Sequence, residues 1–316
     1  MTGPRRARLR ALAKINLDLR VLGRREDGYH ELRTVFQTIS LADTLEIAFT
    51  PGRRSSIELA ENQIPDNLVL RAAQAVMDAL RRPGRVEMRL SKRIPMGAGL
   101  GGGSSDAAAV LLALPVLAGG ELSLPDLCRM GRDLGSDVPF FLLGGRAVGI
   151  GRGTELFPLP DGAAQMGVLA APGIHVSTAE AYRLLDASLT TELQENKMFS
   201  FQSLAWGWES GRPAVNDFEA VVFPVDGRIA RLKRSLMRSG AVQASMTGSG
   251  SAVFGLYRTA ESAARAMTSL SGNDLAGGRV FRIHLVSRAR YRSLWWRALQ
   301  EHTGANVWPP RSRYLR

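Results

Sequence analysis

Cysteine is almost missing from this chain: Cys128 stands alone among 316 residues. One thiol excludes an intrachain disulfide and a cysteine-built zinc site, and it suits a reducing compartment. Histidine is nearly as scarce. It occurs at positions 30, 175, 284 and 302, with no His-x-x-x-His pair, which argues against a catalytic zinc centre. No stretch approaches the ~18 consecutive apolar residues of a membrane-spanning helix. The first ten residues are basic, but Lys14, Asn16, Asp18 and Arg20 interrupt the next segment. No signal peptide is therefore expected, and the expected location is the cytoplasm.

Lysine is the last shortage. Only Lys14, Lys92, Lys197 and Lys233 occur among 41 basic residues, the rest being arginine, and the formal net charge is +12. Such an excess can serve an anionic partner such as nucleic acid. The arginines are scattered, with denser clusters only at the two ends, which fits a compositional drift toward arginine. Neither nucleic acid nor membrane is expected as a partner.

An apolar fraction of 45% and this length suit two domains, or one large one, with a sizeable core. Alternation predicts a strand over 8–22 and two strands over 33–50, joined by a turn at Ala42-Asp43. Helical spacing covers 67–82, and alternation returns at 85–91. A glycine-rich loop at 97–103 leads to an apolar helix from Ser104 to Leu114, stopped by Pro115. Ser123 is placed to cap a further helix, with Pro125 in its first turn. Residues 140–150 read as a buried strand and turn, and the Gly- and Pro-rich stretch 151–162 sets a boundary near 158–163.

Beyond that boundary, strands are expected at 166–171, 241–245, 252–257 and 279–287. Helices are expected at 178–187, 216–223, 227–238 and 259–271, with a long polar loop at 189–215. This mixture predicts the α+β class, with domains at 1–160 and 161–290 and a basic, tryptophan-containing tail at 291–316. The tail reads as a helix whose aromatics cover a domain surface, self-association being the alternative.

The densest chemical signal is Pro95-Met96-Gly97-Ala98-Gly99-Leu100-Gly101-Gly102-Gly103-Ser104-Ser105. A backbone this bare lets successive N–H groups point at phosphate oxygens. The hydroxyls of Ser104 and Ser105 and the start of the following helix also favour an anion. A flexible surface loop is the alternative, though a linker would not need an apolar helix starting at its end. Gly97, Gly99 and Gly102 satisfy G-x-G-x-x-G, but the match lies near residue 100, not after an early strand. No Gly-Lys-Ser/Thr tripeptide and no protein-kinase signature occur.

Three further segments carry candidate chemistry. Lys14 and Asn16 share one face of a strand, and a lysine in a chain that prefers arginine suggests a need for a compact point charge. An ordinary exposed lysine is the plainer reading. Asp137, between Gly135 and the apolar Val138-Pro139-Phe140-Phe141, is expected to be partly buried and to need a partner, for which Lys14 is a candidate. A turn-forming aspartate before Pro139 is the alternative. Tyr29 and His30, with Phe36 beyond, offer faces for a flat ring and directional hydrogen bonds, or simply a polar turn packed on the core.

In this order, over about residues 10–290, the segments resemble the GHMP family of small-molecule kinases. The loop Pro95–Ser105 is similar to that family's ATP-phosphate loop, and Ser245-Met246-Thr247-Gly248-Ser249-Gly250-Ser251-Ala252 resembles its C-terminal glycine motif. Ala13-Lys14-Ile15-Asn16, Gly28-Tyr29-His30, Ser136-Asp137-Val138-Pro139 and Asn216-Asp217-Phe218-Glu219 are similar to the branch whose acceptor carries a cytidine. Homoserine and mevalonate kinases would not be expected to carry the Gly-Tyr-His segment.

The resemblance implies a two-domain α+β fold, its N-terminal ATP unit like that of a small-subunit ribosomal protein and its C-terminal unit ferredoxin-like, with the active site between them. It implies ATP and Mg²⁺ as cofactors and a small-molecule acceptor, in a monomer or homodimer. Lys14 and Asp137 would be the catalytic pair. Asn16, Tyr29, His30, Phe36, Thr178 and Tyr182 would hold the acceptor, and Asn67 would lie near the adenine. It implies no particular metal ligands. A homoserine- or mevalonate-type kinase, or a non-catalytic nucleotide- or RNA-binding protein, is the alternative.

Overall fold

The computed structural model describes residues 3–61, 64–186, 215–270, 272–275 and 277–315. Two long strands set its frame. β1 (Arg5–Arg24) and β2 (His30–Pro51) run antiparallel through most of their length, joined by the turn that holds Asp27, Gly28 and Tyr29. β3 (Ser56–Ala60) lies parallel to β4 (Gly84–Ser91), and β4 pairs with the C-terminal half of β2. β5 (Arg146–Gly151) pairs with the N-terminal half of β2 and carries β6 (Glu155–Pro158) on its other side.

Four helices cover this sheet: α1 (Leu68–Leu80), α2 (Gly102–Ala118), α3 (Leu124–Leu134) and α4 (Val138–Leu143). α2 is buried on every side from Ser105 to Ala118, between the two long strands and the other helices. A helix enclosed this way has no polar face, so beyond Asp106 its sequence is apolar all round. Ser123 caps α3 as its sequence suggests, in a reciprocal capping box with Asp126.

Three expectations are corrected here. The stretch 33–50 is one strand, not two, because Asp43 is fully buried and serves as an internal acceptor where a turn was expected. Pro115 does not stop α2. It removes one N–H from the last turn, and the helix ends only at Gly119, whose φ of 77° and bonds to the carbonyls of Pro115 and Val116 close it. The first part of 140–150 is helix α4 and only the rest is strand, since a short apolar run has no period to tell the two apart. Strands β3 and β6 were not anticipated. Both are short, and neither is buried along its length.

The second sheet has the order β10-β7-β9-β8 with every pairing antiparallel, where β7 is Met166–Ala171, β8 Gln243–Met246, β9 Val253–Tyr257 and β10 Arg279–His284. Helices α5 (Thr178–Asp186), α6 (Glu219–Val225) and α7 (Gly227–Arg238) precede β8, and α8 (Ala260–Ser269) precedes β10. This succession is the ferredoxin-like arrangement. α6 starts three residues later than its spacing suggests, because Asn216 is occupied in holding the chain ahead of it. The loop expected at 189–215 falls almost wholly on residues outside the described ones.

One face of the second sheet packs on its own helices. The other, through Leu169, Phe254 and Ile283, meets Ala13, Ile15, Leu17, Val35 and Ile39 of the first sheet in one apolar cluster. The two sheets are therefore held face to face by burial of apolar side chains. α9 (Arg288–Leu299) returns to the first sheet, where Tyr291, Trp295 and Leu299 join its core. Among the described residues no helix is long and apolar enough to cross a membrane.

Candidate active site

The register of β1 against β2 slips between Leu12 and Lys14, and again between Asn16 and Asp18. Such bulges re-aim side chains and release backbone groups from the ladder. Here the Lys14 N–H donates to the Leu100 carbonyl at 3.1 Å, and the Asn16 N–H donates to Thr247 Oγ1 at 3.0 Å. One short stretch of strand is thereby tied to both glycine loops.

The loops also touch each other. Gly99 has φ 75°, and a Cβ there would lie 2.1 Å from the carbonyl oxygen of Thr247. The Ala252 N–H donates to the Ala98 carbonyl at 3.3 Å. Glycine is required at 99 for this close approach. α2 begins directly after the first loop, capped by Gly101 in the left-handed region. Its leading N–H groups, at Gly102, Gly103 and Ser104, have no acceptor within the helix. The Ser105 hydroxyl donates to the Leu12 carbonyl at 2.7 Å, so it ties α2 to β1, whereas Ser104 lines the site.

Two hollows meet here. A groove of about 340 Å³ runs along Pro95–Ser104 and includes Asn67, whose Oδ1 caps α1 by accepting from the Val69 N–H at 3.0 Å. Met96 stands at its lip with 72% of its surface exposed. A larger cleft of about 770 Å³ holds Lys14, Asn16, Tyr29, His30, Phe36, Asp137, Thr178 and Tyr182. Gly99, Gly101 and Ser104 belong to both.

Lys14 and Asp137 come together in that cleft. The buried Lys14 Nζ lies 3.4 Å from Asp137 Oδ2 and donates to Asn16 Oδ1 at 2.7 Å. Asn16 is a hub. Its Oδ1 also accepts from the Gly248 N–H at 3.0 Å, and its Nδ2 donates to Thr34 Oγ1 at 2.7 Å. Asp137 directly precedes α4 and keeps 31% of its side chain exposed, and it lines the cleft.

The aromatic residues are arranged differently from one another. Tyr29 is exposed, with the Arg152 guanidinium 3.4 Å above its ring. His30 Nε2 lies 2.6 Å from Asp186 Oδ1, and its ring stacks on Tyr182 at 4.5 Å between centroids. Tyr182 meets Phe218 edge-on, and burial, with the nearby Asp137 charge, pushes its hydroxyl pKa up. Phe36 is buried against Phe140, with Lys14 Nζ 5.5 Å from its ring centre. Thr178 opens α5 and shares a 2.8 Å hydroxyl contact with Ser249 of the second loop.

Sequence reasoning passed over a charged cluster beneath the first loop. Lys92 Nζ donates to Asp43 Oδ2 at 2.5 Å and to Asp106 Oδ2 at 2.7 Å. Asp43 Oδ1 accepts the N–H groups of Arg93 and Ile94, just ahead of the loop, at 2.5 and 2.8 Å. The cluster therefore holds both ends of the loop. Burial pushes the Asp106 carboxyl up to about 7, with Lys92 opposing and Asp43 adding to the shift. The rarity of lysine that drew attention to Lys14 applied equally to Lys92, next to the loop. Asn216 was noticed only as part of a motif. Its Nδ2 donates to the carbonyls of Met246 at 2.8 Å and Gly248 at 2.9 Å, which fixes the second loop.

Comparison with known proteins agrees with this architecture. Residues 67–145 match the GHMP kinases N terminal domain, and residues 202–273 match GHMP kinases C terminal. The chain is 65% identical to 4-diphosphocytidyl-2-C-methyl-D-erythritol kinase of Solibacter usitatus, over 99% of both chains. It is 42% identical to the enzyme of that name from Moorella thermoacetica, over 83% of this chain and 94% of the relative. A crystal structure of 4-(cytidine 5'-diphospho)-2C-methyl-D-erythritol kinase superposes with a TM-score of 0.73 at 37% identity, covering 88% of this chain and 98% of that one. Mevalonate kinase of L. major, at 16% identity and a TM-score of 0.64 over 91% of this chain and 97% of that one, shares the fold.

The protein is an ATP-dependent small-molecule kinase with the two-domain α+β fold of its class. It belongs to the GHMP kinases and, within them, to the family of the 4-diphosphocytidyl-2-C-methyl-D-erythritol kinases.

Proposed function

We propose that this kinase transfers the γ-phosphoryl group of ATP to the 2-hydroxyl of 4-diphosphocytidyl-2-C-methyl-D-erythritol, a step of the non-mevalonate route to isoprenoid precursors. The observation that carries the reading is the Lys14–Asp137 pair in the larger cleft, which shares Gly99, Gly101 and Ser104 with the glycine groove. The full-length relative named for this acceptor supports the choice of alcohol.

ATP lies with its phosphates along Gly97–Ser105, met by backbone N–H groups and the start of α2, and its adenine lies toward Asn67. Asp137 accepts the proton of the tertiary alcohol as the oxygen attacks phosphorus. Lys14, held by Asn16, presents a fixed positive charge to the oxygens on which negative charge gathers. Asn16, Phe36 and Thr178 shape the acceptor's reacting end, and Tyr29, His30 and Tyr182 receive the cytosine. His30 and Tyr182 are in mutual contact, so a base fits against them, not between them, unless the pair separates.

Mg²⁺ suits this site. Asp106 Oδ1, next to Ser104 and Ser105, is buried without a hydrogen-bond partner, and Asp106 lines the groove. Mg²⁺ favours one or two carboxylates together with phosphate oxygens. Asp106 and Ser104 would hold it, and when bound it supplies charge neutralisation on the phosphates. For the division of the chain we propose an ATP-binding domain at 1–160, a second domain at 161–290 and a tail at 291–316.

The deciding experiment measures ADP release with Mg·ATP, in the presence and absence of the cytidylated acceptor. Release that requires the acceptor is expected. Asp137→Asn should lower kcat by about 10²–10⁴-fold, the usual scale of general-base catalysis, while ATP binding is retained. Near-normal turnover by that variant would remove Asp137 as the base. Release with homoserine or mevalonate in place of the cytidylated acceptor would move the protein to another branch of the family.

A further inference from the structure

The ionisable groups of the acceptor cleft are nearly all matched. Lys14 faces Asp137, and His30 faces Asp186. Arg152 is different. Among the described residues it has no carboxylate within ion-pair distance, and its Nε is buried without a hydrogen-bond partner. Asp27 is near enough to feel its charge, but Asp27 is paired with Arg25. A buried donor without an acceptor is unusual and points to a missing ligand or water.

The position of Arg152 narrows the ligand. It sits in the turn between β5 and β6, with Gly151 at φ 67° and Gly153 at φ 84° on either side. Its guanidinium carbon lies 3.4 Å from the ring centre of Tyr29, an exposed ring of the cleft. It lines the acceptor cleft and not the groove along the glycine loop. A planar guanidinium matches the oxygens of a phosphate through paired N–H groups. A pyrimidine stacked at Tyr29 has its 5′-diphosphate one ribose away, within reach of the flanking guanidinium.

We propose that Arg152 binds the diphosphate bridge of the acceptor and so selects a nucleoside-diphosphate-linked polyol over a bare one. The proposal rests on the cytidylated acceptor and adds the residue that reads its phosphates. Tyr29 holds the guanidinium in place from one side, and the two flanking glycines give the backbone its turn.

Calorimetric titration of the full-length protein with CDP and with cytidine tests this without any turnover. The unmodified protein should bind CDP more tightly than cytidine, and equal affinities would overturn the proposal without recourse to a variant. Arg152→Met should weaken CDP by about 10- to 100-fold, the range of a charge-assisted hydrogen bond, and leave cytidine within about twofold. ATP, bound in the neighbouring groove, should be unaffected, which also checks that the variant is folded. Equal losses for CDP and cytidine would mean that Arg152 only supports the Tyr29 ring, and the assignment would fall. Absence of turnover with the cytidylated acceptor, with the Arg152-dependent CDP preference intact, would overturn the acceptor instead.

Discussion

At the scale of single residues, the site depends on charges held where water cannot screen them. Lys14 is 3% exposed, and a Cβ on Gly101 would already come within 3.3 Å of its Cε. Arginine has a larger, forked head and no room here to place its charge at the same point. Lys14→Arg should therefore lose on the order of 10²-fold in kcat, as small misplacements of catalytic groups do, with ATP affinity retained. Steady-state kinetics at wild-type rates would contradict this. Asp18, two positions from Asn16, shows the opposite case. Its Oδ2 is buried without a hydrogen-bond partner, and burial raises its pKa despite the neighbouring Arg33 and Arg20. The folded protein then keeps this proton at pH values where the unfolded chain, near 3.8, has lost it. Stability from this group is present below that value and declines as pH rises through the window above it. Asp18→Asn removes the decline. The melting temperature of the variant minus that of the wild type should grow as pH rises above the unfolded value of 3.8. A difference that stays flat as pH rises would show that Asp18 is charged throughout.

At the scale of elements, the two glycine loops work as one piece because backbone meets backbone. Gly99→Ala would place a methyl group 2.1 Å from the Thr247 carbonyl oxygen, at a φ of 75° that alanine avoids. A loss of about 1–3 kcal/mol in stability and weaker ATP binding are expected, measured by denaturant unfolding and titration. Gly103→Ala is the control. Its new methyl would meet only Leu68 Cδ1 at 3.7 Å, so stability should stay within about 0.5 kcal/mol. The glycine-rich character of both loops was legible in the sequence, and so was α2 behind the first. Their contact was not, because it joins residues far apart in the chain. The same limit explains Asp43. Read locally, an aspartate between two apolar runs marks a turn, yet in the fold it accepts from Lys92, Arg93 and Ile94.

At the scale of the whole molecule, the C-terminal tail grips α4, the helix that Asp137 directly precedes. The Tyr291 hydroxyl donates to the Phe141 carbonyl at 2.5 Å, and Trp308 Nε1 donates to the Leu142 carbonyl at 2.9 Å. These carbonyls lie in the last turn of α4, where no further helical N–H remains to pair with them. The Tyr291 ring also packs where a Cβ on Gly144 would stand. Tyr291→Phe keeps the ring and leaves the carbonyl unpaired, so it should cost about 1–3 kcal/mol of unfolding free energy. Because Asp137 directly precedes α4, kcat should fall more than the KM for ATP rises. Unchanged stability in a denaturant titration would show that the tail merely covers α4.

The sequence by itself determined what depends on neighbours along the chain. Alternation marked β1, helical spacing marked α1, Ser123 marked the start of α3, and the bare glycine run marked the loop and groove at the head of α2. The family's motifs, in order, pointed to a kinase. The pairing of Lys14 with Asp137 was anticipated from the sequence and is met in the fold. Tertiary structure alone decided which other distant groups meet: Asn16 with Gly248, His30 with Asp186, and Arg152 over Tyr29. The reason is physical. Local propensity is set by the backbone and by side chains a few positions away, whereas these contacts arise from strand register, two bulges and the packing of two sheets. Each of these depends on the whole chain being folded at once.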